Sequence, residues 1–140
     1  MIVLDTNVIS EVMAGDASST VMQWLRRQEP ELLGITAVTV AEVSEGIARL
    51  PVGNRRDRIA SQWDLLSLSW RGSFLALGLA EARMTGVLSA HRRRIGRPIT
   101  MADACIAGTC VVHEAQLATR NIRDFEDLGL TLINPWSSPV

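Results

Sequence analysis

The chain has no lysine, and all fourteen of its basic residues are arginine. That absence excludes a phosphate loop of the GxxxxGK type. Arginine forks suit phosphate contacts, but a GC-rich coding sequence leaves the same bias and is the preferred explanation here. Two cysteines, Cys105 and Cys110, are too few for a disulfide framework, and they lack the CxxC spacing of a zinc or redox site. They read as buried thiols in a reducing cytoplasm. The two histidines, His91 and His113, have no metal-ligand partner in the sequence and read as structural. No apolar run reaches the ~20 residues of a membrane span, and Asp5 interrupts the opening apolar run too early for a secretory leader. Repeats, low-complexity segments and linkers are also missing, so 140 residues predict one domain over 1–140. The formal net charge is −1, so bulk charge names no nucleic-acid partner, and local patches must decide.

What is present begins with MIVLDTNVISE. Ile2, Val3 and Leu4 form the continuous apolar run of a strand buried on both faces. Asp5 follows at once, and Val8, Ile9 and Val12 then recur at helical spacing, predicting a helix from about Thr6 to Ala14. A second helix, capped by Ser18 or Ser19, carries Val21, Met22, Trp24 and Leu25. Leu32 to Thr36 is the second strand. Thr39-Val-Ala-Glu42 has the TxxE pattern of a capping box and predicts the start of a third helix. A fourth helix runs from about Asn54 to Trp70, Phe74 to Leu77 is the third strand, and a fifth helix reaches about Arg94. Thr100-Met-Ala-Asp103 repeats the capping pattern and opens a sixth helix. Gln116 to Thr119 and Leu130 to Ile133 are strands four and five. Alternating strands and helices predict an α/β fold, with a central parallel sheet of about five strands covered by helices on both faces.

Asp5, Glu42 and Asp103 share one kind of position, at or just inside a helix start beside a strand. Taken singly, Glu42 and Asp103 read as capping residues favoured by the helix dipole. If the three strands are neighbours, all three acids meet at one sheet edge. Like charges about 4 Å apart repel by roughly 4 kcal/mol at an effective dielectric near 20. Such a cluster needs a cation or must take up protons, and carboxylate oxygens without His or Cys favour Mg2+ or Mn2+. A fourth polar group should come from the end of strand four, where Asn121 and Asp124 are the candidates. Glu45, one turn beyond Glu42, is within reach as well. Glu11 and Glu81 read as surface acids. Thr6, Asn7 and Thr119 stand where they could orient the carboxylates. Arg55, Arg56 and Arg58 form one basic cluster, and Arg92, Arg93, Arg94 and Arg97 another. Arg120 and Arg123 lie nearer the acids. Arg93, Arg97, Arg120 and Arg123 are the candidates for contacting a phosphate backbone. Trp24, Trp63 and Trp70 fall in helical apolar patterns and read as core or interface.

Nearly the whole chain resembles PIN-domain ribonucleases, specifically the VapC-type toxins of bacterial toxin–antitoxin pairs. The resemblance rests on LDTNVISE, ITAVTVAEVSEGI around Glu42, GRPITMADACIA around Asp103, LATRNIRDFEDLGL and the closing INPW, in that order. It implies a compact α/β domain and a Mg2+- or Mn2+-dependent RNA-cleaving site built by Asp5, Glu42 and Asp103. On that pattern Asp5 and Asp103 would hold one ion that activates water. Glu42 would orient water or act as base, and a second ion, if bound, would stabilise the leaving oxygen. The resemblance also implies a homodimer and an antitoxin whose C-terminal segment lies over the active site. Two departures stand out: Asn121 replaces an aspartate common after the TR pair, and Gly78 replaces an acid common after the third strand. Either Asp124 would then supply the missing carboxylate, or a second metal would bind weakly.

An aspartate after the first strand also occurs in receiver domains and haloacid-dehalogenase-like phosphatases. Both imply a lysine at the phosphate site, which this chain lacks, and Asn7 stands where the phosphatases carry a second aspartate. Two alternatives remain open: a housekeeping RNA-processing nuclease of the same fold, and an inactive RNA- or protein-binding module, which Asn121 keeps in play.

Overall fold

A computed structural model of the chain describes residues 1–137; the last three positions of the expected domain lie outside it. Five strands alternate with seven helices among the described residues. The strands are β1 (Ile2–Leu4), β2 (Leu33–Thr36), β3 (Ser73–Leu75), β4 (Gln116–Ala118) and β5 (Leu132–Ile133). The helices are α1 (Thr6–Ala14), α2 (Thr20–Leu25), α3 (Ala37–Ala48), α4 (Asn54–Ser69), α5 (Leu79–Arg94), α6 (Met101–Val112) and α7 (Ile122–Phe125). All strand pairs are parallel, in the order β3-β2-β1-β4-β5. The expected α/β class and parallel sheet are both found.

The order explains where a site can form. From β1 the chain moves outward through β2 to β3, then returns to lay β4 and β5 on the other side of β1. The connections therefore leave β1 and β4 in opposite directions, which opens a crevice at their carboxyl ends. Asp5 and Thr119 are the first residues past those ends, and the Asp5 N–H still donates to Ala118 O at 3.0 Å.

Side chains alternate across a strand, so Val3 and Leu4 point into different layers. Val3 joins Leu117, Ile106, Ala107, Leu88 and Phe125 beneath α5 and α6. Leu4 joins Val8, Ile9, Ile35, Trp24 and Trp63 beneath α1–α4. Trp24 and Trp63 are thus core residues, and Trp70 packs on the same layer. Cys105 and Cys110 are buried and unpaired, and burial pushes the Cys110 thiol up to about 12. That thiol stays protonated and unreactive.

Two local expectations change. Helix α3 is capped by Thr36, whose hydroxyl accepts from Thr39 N–H at 3.1 Å, so the TxxE pattern at Thr39 is not its capping box. Thr36 ends a strand in extended conformation, as a cap must, and Ala37 and Val38 continue the helical pattern back to it. Thr39 is therefore fully buried and Glu42 stands well inside the helix. At the second pattern Thr100 does cap α6, accepting from Asp103 N–H at 3.2 Å. Glu81 is not a surface acid. Its carboxylate accepts from Gly78 N–H at 3.0 Å and lies 3.1 Å from His113 Nε2, tying the start of α5 to the end of α6.

Candidate active site

Asp5 is 4% exposed. It caps α1 with Oδ1, which accepts from Thr6 N–H at 2.8 Å. Oδ2 accepts from Asn7 Nδ2 at 2.9 Å and from the Thr119 hydroxyl at 2.7 Å. One carboxylate thus holds three donors from both sides of the β1/β4 crevice, and its rotamer is fixed. Burial raises its pKa most, the Thr119 and Thr6 bonds oppose, Glu42 adds repulsion, and the net shift is upward.

Glu42 reaches the same end of the sheet from α3. Its Oε1 accepts from the Thr6 hydroxyl at 2.6 Å. Behind Thr6 stand Thr39, at 3.4 Å between hydroxyls, and Thr36, at 3.3 Å from Thr39. Three buried or half-buried threonines therefore back Glu42 with a chain of hydroxyls. No spacing rule in the sequence links Thr6 to Thr39, so only the packing of α1 on α3 reveals it.

Asp103, in the first turn of α6, is half-buried. Its carboxyl is pushed up from 3.8 to about 6, chiefly by burial, against a Thr100 hydroxyl bond, with added repulsion from Asp5, Asp124 and Glu42. The structure therefore brings Asp5, Glu42, Asp103 and Asp124 into one electrostatic neighbourhood. Asp124 arrives on α7, a helix of four residues that could not persist alone. Phe125 anchors it, 1% exposed, worth roughly 2 kcal/mol of apolar burial. Arg92, also buried, donates to the Asp124 and Glu126 carbonyls, both at 2.9 Å. Asn121 caps α7 with no side-chain bond, and its N–H donates to Thr119 Oγ1 at 3.0 Å. Glu45 is turned elsewhere, exposed and 3.8 Å from Arg49.

Of the arginines, Arg97 already holds Glu126 and Asp127, and Arg92 is taken by backbone carbonyls. Arg93, Arg120 and Arg123 are exposed. Among the described residues, no cationic side chain pairs with Asp5, Glu42, Asp103 or Asp124. Oxygen donors with uncompensated charge suit a hard divalent cation. Among the described residues, no three acidic, His or Cys side chains close on a single point. The fit is to an ion held by one or two carboxylates with waters filling its shell, as Mg2+ prefers.

The match to known proteins decides the family: the PIN domain is found over residues 2–129. The chain belongs to the PIN-domain family. This PIN domain is 39% identical over 137 residues to a VapC ribonuclease of Sinorhizobium fredii, covering 97% of this chain and 98% of that one. It is 31% identical over 137 residues to toxin FitB of Neisseria gonorrhoeae, covering 97% of this chain and 99% of that one. The crystal structure of FitAcB from Neisseria gonorrhoeae superposes with a TM-score of 0.85 at 30% identity, covering 99% of this chain and 100% of that one.

The raised carboxyl of the PIN domain gives a stability prediction. Asp103 is neutral in both folded and unfolded chains at low pH. Above 3.8 the unfolded chain ionises first, so folding loses stability until about 6, and the penalty is constant beyond. Discounted for partial exposure, that penalty is about 1–2 kcal/mol. Metal-free Asp103→Asn should therefore melt a few degrees above the wild type at pH 8, and the gap should close towards pH 4. Thermal melts in a chelator across that range check it; a gap independent of pH would show that ionising Asp103 in its half-buried place costs the fold nothing.

Proposed function

We propose that this chain is the ribonuclease toxin of a toxin–antitoxin module, hydrolysing RNA phosphodiester bonds with a Mg2+ or Mn2+ ion. The observation that carries it is the uncompensated set of Asp5 at the end of β1, Glu42 on α3 and Asp103 at the start of α6, close enough to repel one another. The name of the VapC ribonuclease relative supports the reaction class, and that of toxin FitB supports the role as a toxin. Asp5 and Asp103 would hold the ion, with Asp124 at the rim as the further carboxylate and Asn121 beside it. A bound divalent ion would lower the pKa of a water and balance charge on a phosphate oxygen. The three donors on Asp5 hold its carboxylate in one orientation. The Thr6 bond keeps one oxygen of Glu42 occupied and leaves the other to accept a proton from water. Thr119 serves both sides of the site, donating to Asp5 and accepting from Asn121.

The surface beside the site is compatible with an antitoxin partner. A groove of about 380 Å³ between α1, α3 and α4 is lined by Met13, Val43, Ile47, Leu50 and Ile59, and opens at Thr6 and Glu42. An apolar segment of an antitoxin lying there would end over the acids and block them. A homodimer in the cytoplasm completes the reading; no helix among the described residues is long and apolar enough to cross a membrane.

The test is cleavage of RNA by purified, antitoxin-free protein. Cleavage should need added Mg2+ or Mn2+, stop on chelation and return on re-addition. Undiminished cleavage in excess chelator would end the metal-dependent reading.

A further inference from the structure

An acidic site that takes a polyanion has an electrostatic problem, and one arginine is placed to meet it. Arg120 directly follows Thr119, and its N–H donates to Asn7 Oδ1 at 3.3 Å, while Asn7 Nδ2 donates to Asp5. Its backbone is thus two hydrogen bonds from the central carboxylate. Its guanidinium lies over the Trp136 ring, 4.2 Å from the centroid. No carboxylate among the described residues pairs with it. The contrast with Arg97, held by two acids, and Arg92, buried on carbonyls, sets Arg120 apart.

Trp136 is itself fixed. Thr119 N–H donates to Ile133 O at 2.9 Å, continuing the β4/β5 pairing to the edge of the site. Beyond Ile133 the chain turns at Asn134, whose Oδ1 accepts from Trp136 N–H at 3.0 Å. Pro135 is buried, and Trp136 packs against the layer that holds Leu4 and Ala118. A guanidinium held over a ring face keeps the N–H groups in its own plane free for a bidentate phosphate contact. Stacking also removes rotamer freedom before substrate arrives.

We propose that Trp136 is a positioning residue that holds Arg120 at the rim of the acidic cluster to receive a backbone phosphate of the RNA. The proposal rests on the ribonuclease reading above. It assigns the RNA backbone, not a base, as what this corner binds.

The test uses full-length, metal-loaded protein and a mixed-sequence single-stranded RNA, with KM and kcat measured at several salt concentrations. Arg120→Gln and Trp136→Leu should each raise KM about tenfold with kcat within about twofold, and each should lower the salt slope of log KM by about one. Trp136→Phe, which keeps a ring under the guanidinium, should recover most of the loss. The double variant should be no worse than Arg120→Gln alone. Additive losses, a fall in kcat with KM unchanged, or Phe as poor as Leu would overturn the proposal. So would cleavage by the two single variants equal to the wild type's. A wild type that neither binds nor cleaves RNA in Mg2+ or Mn2+ would overturn the ribonuclease reading itself, and this proposal with it.

Discussion

Replacing Asp103 by asparagine should lower RNA cleavage on the order of a thousandfold or more, with the fold intact. Asparagine has the same shape and keeps an oxygen for the Thr100 hydroxyl, but it removes the charge that would hold a cation. It also removes the half-buried charge whose desolvation, with added repulsion from Asp5, Asp124 and Glu42, pushes this carboxyl up to about 6. Activity and stability should therefore move in opposite directions, which a generally damaging substitution cannot do. Mg2+ should raise the melting temperature of the wild type and leave Asp103→Asn unmoved. Asp5→Asn should lose as much activity with a less clean signature. Its Oδ2 accepts from both Asn7 and Thr119, and an amide in its place sets donor against donor. A rate for Asp103→Asn within about tenfold of the wild type, a loss of roughly 1.4 kcal/mol or less, would remove Asp103 from the site.

The second large effect lies away from the chemistry. Gly108→Val should lower stability by about 3 kcal/mol, roughly a 10 °C fall in melting temperature for a chain of this size. Helix α6 runs against α5 at Gly108 so closely that an added Cβ would stand 2.7 Å from Thr85 Oγ1, 2.8 Å from Thr85 N and 3.0 Å from Glu81 O. Two of those atoms are backbone and cannot rotate away. The helices must part, and α6 carries Asp103 in its first turn, so activity should fall as well. Gly108→Ala should cost less, because alanine recovers about 1 kcal/mol of helix propensity. Calorimetry on the pair measures both; a Val variant melting with the wild type would show that the close approach constrains nothing.

The sheet is legible in the sequence because each buried strand announces itself as an apolar run bounded by turn or cap residues, and because Asp5 breaks β1 at its carboxyl end. The start of α3 is not, because two threonines compete for the cap. Thr39 with Glu42 matches the capping pattern, but Thr36 has the extended backbone at the strand end and takes the role. Glu81 looks solvated in sequence because its partners, His113 and the Gly78 N–H, come together only when α5 packs on α6. The buried guanidinium of Arg92 hides among neighbouring arginines, since two of its acceptors are carbonyls at the end of α7, distant in sequence. The Arg120–Trp136 stack is a tertiary contact between two loops, with no periodicity to mark it. Candidate ligands can be named from sequence because each sits beside a strand or helix boundary. The hydroxyls that orient them are harder to assign, because those bonds cross between elements.

The measurement that bears most directly on the whole account is a map of new RNA 5′ ends in cells, after inducing the wild type or Asp103→Asn to equal soluble levels. Discrete new ends are expected with the wild type and none with the variant. Identical maps from the two folded proteins would contradict it.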